Sequence, residues 1–216
     1  MNNIINLVKK EFLAINILHP RYLLIIIMAI AYSLFIPKFV PISYYMLTLI
    51  IVINSFYMDE ASRGNYLTYS LPVSKKEYII SKYIFSLVSI LIIVLIISIG
   101  SFIGNTLCTS LGLSIGEPSL LSFKTTFLFG ISLCLCMVGI IIPAIIKFTY
   151  KNLSAIFTII MLAMAFSASS LMTNLPKDIS ININNLAIIA SLASILLFFA
   201  SFFISKTIMK KKEILN

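Results

Sequence analysis

Six apolar stretches, each near the length of a bilayer-crossing helix, make up more than half of this 216-residue chain. They cover 21–39, 42–58, 83–104, 125–146, 155–172 and 186–205. A bilayer core is about 30 Å thick and needs roughly 20 apolar residues to cross it as a helix. Within lipid every backbone polar group must find its partner inside the segment, which leaves the helix as the natural solution for such runs. The expectation is an all-α integral membrane protein of six transmembrane helices. Pro37 and Pro41 bracket a tight connection between the first two runs. That pair reads either as two crossings or as a re-entrant hairpin, and both return the chain to the same side.

Composition agrees. The chain is 60% apolar and 11% charged, against about 45–50% and roughly 25% in a soluble domain. That is too little polar surface to coat a globule in water, and no polar stretch is long enough for a second, soluble domain. The whole of 1–216 is expected to be one transmembrane domain.

The net charge of +9 points to orientation rather than to nucleic acid, because the basic residues sit in short segments between apolar runs. One alternating set of segments holds Lys9, Lys10, Arg21, Arg63, Lys75, Lys76, Lys82, Lys147, Lys151, Lys206, Lys210, Lys211 and Lys212. The opposite set holds only Lys38, Lys124 and Lys177. This asymmetry is the positive-inside signal. It places both termini and the segments 59–82 and 147–154 in the cytoplasm, with the protein in the plasma membrane.

The leading segment, residues 1–20, reads as an amphipathic elbow. Ile5, Val8, Phe12 and Ile15 recur at helical spacing, and Lys9, Lys10 and Glu11 are expected to lie away from that face. Such a helix suits the headgroup plane, and Pro20 then redirects the chain into the bilayer. The segment interleaves polar and apolar residues with no small-residue cleavage site, so it is not read as a cleavable signal.

The loop 59–82 is the most informative polar segment. Ser74 reads as a helix N-cap with Glu77 three residues on, while Val73 and Tyr78 take the flanking hydrophobic positions. Pro72 ends what precedes it, so the third span is expected to start as a helix at Lys75. Upstream, Glu60–Ser70 has room for a short helix parallel to the membrane. Asp59 and Glu60, at the inner end of the second span, are either a contact for a cytoplasmic partner or two solvated acids closing a helix.

Several chemistries lack their raw material. There is no G-x-x-x-x-G-K-[ST] loop for phosphates, and a single histidine, His19, leaves no HExxH site and no Ser–His–Asp set. Cys108, Cys134 and Cys136 read as buried small hydrophobes rather than metal ligands. The six runs hold no Asp, Glu, Lys or Arg well inside them, and a proton- or sodium-coupled carrier generally needs one. No catalytic, cofactor-binding or metal site is expected in this chain. For packing, Gly100 and Gly104 form a GxxxG pair in span three, and spans five and six are rich in Ala and Ser, which let helices approach closely. Pro143 suggests a kink near the inner end of span four.

Taken together, these features resemble the short permease subunits of ATP-binding-cassette exporters of the type-2 class. Ser70-Leu71-Pro72-Val73-Ser74-Lys75-Lys76-Glu77 and Ser81-Lys82-Tyr83 match a recurrent segment of that family, and Asp59-Glu60 stands in its acidic place. Topology matches over the whole chain; specific residues match over about 59–83. Among such short permeases the chain is similar to those of the phenol-soluble modulin exporter of Gram-positive bacteria. The resemblance implies a bacterial permease that pairs with itself or with a sibling and docks a separate ATPase, which binds ATP and magnesium. It implies a coupling helix in Glu60–Ser70, with Asp59, Glu60, Arg63, Tyr66 and Tyr69 in the coupling region. Arg and Tyr are favoured interface anchors, though these same residues also suit a basic loop with interfacial aromatics. The implied cargo is amphipathic or hydrophobic, such as peptides or antimicrobials, and the direction is export. Two other classes compete: an ion-coupled carrier or channel, and a non-transporting membrane scaffold or immunity protein.

Overall fold

The computed structural model describes residues 2–14, 24, 26–31, 40–61, 74–110, 123–148, 163 and 183–211. Among these residues regular structure is helical throughout. The helices are α1 (Asn2–Ala14), α2 (Val40–Thr48), α3 (Asn54–Ala61), α4 (Lys75–Ser110), α5 (Phe123–Phe148) and α6 (Ile183–Lys211). A π-helical turn, Leu49–Ile53, joins α2 to α3, and its flanking residues Thr48 and Asn54 keep helical dihedrals, so 40–61 runs on as one rod. Pro41 falls in the first turn of α2, where its missing N–H costs no hydrogen bond.

Among the described residues four helices are long and apolar enough to cross a membrane: Val40–Glu60, Lys76–Leu107, Phe123–Phe148 and Asn184–Lys211. They correspond to the second, third, fourth and sixth expected runs. The fifth run, apart from residue 163, lies outside the described residues, as does most of the first beyond the helical stretch 26–31.

α4 shows how the bundle is built. Ile84, Leu87, Val88, Leu91, Ile92, Leu95, Ile96, Ile99, Phe102, Ile103 and Leu107 form an exposed apolar stripe at helical spacing. The opposite face buries Tyr78, Lys82, Phe85, Ser86, Ser89, Ile93, Ile97, Ser98 and Ser101. Grease faces out and the serines face in, the reverse of a soluble helix, as lipid solvent requires. α6 follows the same rule: Ala187, Ser191, Ser194, Phe198, Ser201, Ser205 and Met209 make a buried seam at spacings of three and four. That seam lies against α5, and the two form the most extensive helix pair.

Side-chain hydrogen bonds fix the register. Tyr44 Oη lies 2.9 Å from Ser98 Oγ and donates to the carbonyl of Thr126 at 3.3 Å, joining α2, α4 and α5 at one end. Tyr83 Oη lies 2.7 Å from Ser201 Oγ and 2.8 Å from Ser205 Oγ, tying α4 to α6 at the other. The Tyr83 ring packs edge-on against Phe198 and Phe202. α2–α3 and α4 are therefore antiparallel, and the end of α3, the start of α4 and the end of α6 share one end of the bundle. Both GxxxG glycines, Gly100 and Gly104, are buried. Close helix approaches occur at two other glycines: a Cβ on Gly130 would lie 2.6 Å from Tyr44 Cζ, and one on Gly139 would lie 2.7 Å from Leu197 Cδ2.

Candidate functional site

Of the expected helix start of span three, Ser74, Glu77 and Tyr78 fall among the described residues. α4 begins at Lys75. Glu77 N–H donates to Ser74 Oγ at 3.2 Å, and Ser74 N–H donates back to Glu77 Oε2 at 2.8 Å, so both halves of the capping box are made. The Tyr78 N–H closes the first turn onto the Ser74 carbonyl at 3.1 Å.

One turn further on, the helix brings Lys82 into the interior, where it is 1% exposed. Its ammonium sits 2.7 Å from Glu11 Oε2 and 2.6 Å from Asp59 Oδ2. It also donates to Ser55 Oγ at 2.8 Å and to the Ser55 carbonyl at 3.1 Å. The Phe56 ring lies 4.7 Å from the ammonium and the Tyr78 ring 5.6 Å, adding the attraction of aromatic faces for a cation. Asp59 is 3% exposed and accepts from Lys10 Nζ on its second oxygen and from Tyr78 Oη at 3.0 Å. Lys10 stands 3.6 Å from Glu11 as well. Burial works against the Lys10 charge, but the hydrogen bond and Coulomb attraction of Asp59 outweigh it and hold the ammonium above its ordinary range.

Two cations and two anions thus close on one another. Glu11 comes from α1, Asp59 from α3 and Lys82 from α4, so the quartet joins three elements far apart in sequence. Below it, Phe12 packs edge-on against Phe85 at 4.8 Å. The orientation expected for α1 is corrected here. Glu11 was expected on the polar outer face, yet it is 1% exposed and turned into the bundle with Leu7, while Ile5 is 58% exposed. The reason is electrostatic: buried Lys82 needs a counter-charge, and a helical turn carries Glu11 to the same side as Leu7.

Of the residues singled out in the coupling region, Asp59 turns inward and Glu60 is partly exposed. Arg63, Tyr66, Tyr69, Pro72 and Val73 lie outside the described residues. Sequence reasoning missed Lys10, Glu11 and Lys82 as a constellation. A signal existed for Lys82, which falls on the same helical stripe as Tyr78, Ser86 and Ser89. Nothing local pairs it with Glu11, 71 residues away. Among the described residues no three His, Cys, Asp or Glu side chains gather to hold a metal. Cys134 is buried and accepts from Thr48 Oγ1 at 3.3 Å. Two buried polar atoms, Asn54 Nδ2 and Ser89 Oγ, have no hydrogen-bond partner among the described residues.

Long apolar helices with lipid-facing stripes and a polar seam define a multi-pass membrane protein in which most charges of the described residues gather at one end of the bundle. The family model described as ABC-2 family transporter protein matches residues 6–210, and the chain belongs to that family. Membership makes it a membrane-embedded transport protein of a family that in general associates with an ATP-binding subunit. No curated protein and no solved structure gives a significant match.

Proposed function

We propose that this chain is the permease of a bacterial ATP-driven exporter that carries amphipathic or hydrophobic cargo, peptides above all, out of the cell. The family match across residues 6–210 carries the reading. In it, the chain crosses the plasma membrane six times with both termini in the cytoplasm and pairs with a second permease chain, most simply its own copy. Each copy docks one ATPase that binds ATP and magnesium. The contact falls on Glu60, Arg63, Tyr66 and Tyr69, because the Asp59 carboxylate already faces Lys82 and Lys10. The cargo class follows from surfaces of Ile, Leu, Phe, Ser and Tyr, and suits a small-peptide exporter of the phenol-soluble modulin type.

The test is copurification from mild detergent. A nucleotide-hydrolysing subunit should accompany the chain in stoichiometric amount and be lost on replacing Glu60, Arg63 or Tyr66. Normal assembly and ATPase stimulation with 60–70 scrambled would end the docking assignment. A second reading, an ion-coupled carrier, has one observation in its favour: Glu11 and Asp59 are buried carboxylates. Both, however, are held by lysines within 2.7 Å, and a coupling carboxylate must be able to exchange its ion. Uphill transport driven by an ion gradient in vesicles holding this protein alone would establish that reading instead. A non-transporting scaffold or immunity protein would protect cells with the partner ATPase inactivated, an outcome the exporter reading forbids.

A further inference from the structure

The quartet does more than satisfy one buried lysine. Without α1, the corner formed by the end of α3 and the start of α4 would hold Lys82 and Asp59, one cation and one anion. α1 contributes Lys10 and Glu11, again one of each, so the docked and undocked corners are both neutral. Any single loss changes that. Removing Lys82 leaves Glu11 buried at 1% exposure, with only the more distant Lys10 beside it, since Lys10 already serves Asp59. An uncompensated charge in such a place is strongly unfavourable. The cheapest relief is for α1 to swing out and hydrate Glu11, because among the described residues α1 packs chiefly on α4, with a smaller contact on α3. Its outward face, with Lys9 exposed and Ile5 and Leu13 at 58% and 72%, is already a surface face.

We propose that Lys10, Glu11, Asp59 and Lys82 form a charge-balanced clamp that holds α1 closed on the α3–α4 corner, and that the balance of charge in the cluster sets whether α1 is docked. The clamp rests on the geometry alone. Its use rests on the exporter reading: the segment 62–73 connects the two helices that the clamp joins, so a push on it would move α1, α3 and α4 as one body.

The test reads α1 docking on this chain alone, in inverted membrane vesicles with no partner and no ATP. In a background lacking the native cysteines, Leu7→Cys, at a position 7% exposed, reports docking by its rate of reaction with a membrane-impermeant maleimide, and Lys9→Cys serves as an always-exposed control. Lys82→Met should raise the Leu7→Cys rate on the order of tenfold or more while leaving the Lys9→Cys rate unchanged. Adding Glu11→Leu removes the stranded charge and should return the rate to within about twofold of the parent. Should Lys82→Met fail to accumulate, Lys10→Met, at the partly exposed edge of the cluster, carries the same test with a smaller opening, again reversed by Glu11→Leu. A rate unchanged in the single variant, or equally raised in single and double, overturns the clamp. On the exporter reading, the opened variant keeps its copurifying ATPase yet exports several-fold less, and the double variant recovers. Export unchanged in the opened variant removes the transmitting role and leaves the docking result standing.

Discussion

Gly130 and Gly139 occupy the same helix and are both buried, yet they answer to different neighbours. At Gly130 the nearest atoms are the ring and hydroxyl of Tyr44, at 2.6–2.9 Å from where a methyl would sit. That ring cannot retreat easily, because its hydroxyl is held by Ser98 and by the Thr126 carbonyl. At Gly139 the close atom is the terminal Cδ2 of Leu197, a side chain 38% exposed with room to change rotamer. Gly130→Ala is therefore expected to destabilise the protein by about 1–3 kcal/mol, the usual range for overpacking, and Gly139→Ala by well under half of that. Unfolding in mixed micelles with increasing denaturing detergent measures both; equal losses, or a larger one at Gly139, would contradict the argument. Neither glycine stands out in the sequence. The GxxxG pair at Gly100 and Gly104 does, but a spacing motif records only what one helix offers. Close approach also depends on the partner, here a tyrosine 86 residues before Gly130 and a leucine 58 residues after Gly139.

Among the elements, α4 was the most legible. Its start could be placed at Lys75 because capping is local chemistry: the Ser74 hydroxyl, the Glu77 carboxylate and the two N–H groups they cover lie within four residues. Replacing Ser74 by Ala should cost about 0.5–2 kcal/mol and fray the first turn. Backbone hydrogen exchange at Glu77 and Tyr78 should then rise, while exchange at Phe85 and beyond stays slow; uniform protection along α4 would show that the cap is dispensable. α1 was legible only as a helix. Its amphipathic period is plain in the sequence, but the direction it faces is not, since periodicity finds a polar face and not the salt bridge that turns part of that face inward. The π turn at Leu49–Ile53 left no trace that could be read either. Its five residues are all aliphatic, and a wide turn there is a matter of how α2 must meet Tyr44's partners above and Lys82 below.

At the scale of the molecule, contacts and charge agree on sidedness through independent routes. The hydrogen bonds of Tyr83 with Ser201 and Ser205, and the Lys82 cluster, bring α1, the start of α4 and the end of α6 to one end of the bundle. The Tyr44 bonds bring the start of α5 to the other end, next to Ser98. Lys9, Lys10, Lys76, Lys206, Lys210 and Lys211 therefore share one end, and Lys124 lies at the opposite end, as the loop asymmetry in the sequence also requires. That agreement yields a prediction about orientation in the cell. In a cysteine-free background, Lys9→Cys, Lys76→Cys and Lys210→Cys should react with an impermeant maleimide only in inverted vesicles. Lys124→Cys and Asn184→Cys, at the starts of α5 and α6, should react only in intact cells. The Asn184 position is the more searching one, because no strong charge marks it and its side follows from the run of α6 away from Tyr83. If Asn184→Cys and Lys210→Cys were labelled from the same side, α6 would not cross the membrane. The seam of small residues that packs it on α5 would then need another explanation. If every site were labelled from the side opposite to that expected, the bundle would stand but the segment 60–70 would face away from cytoplasmic ATP, and an ATPase could not drive the protein through it.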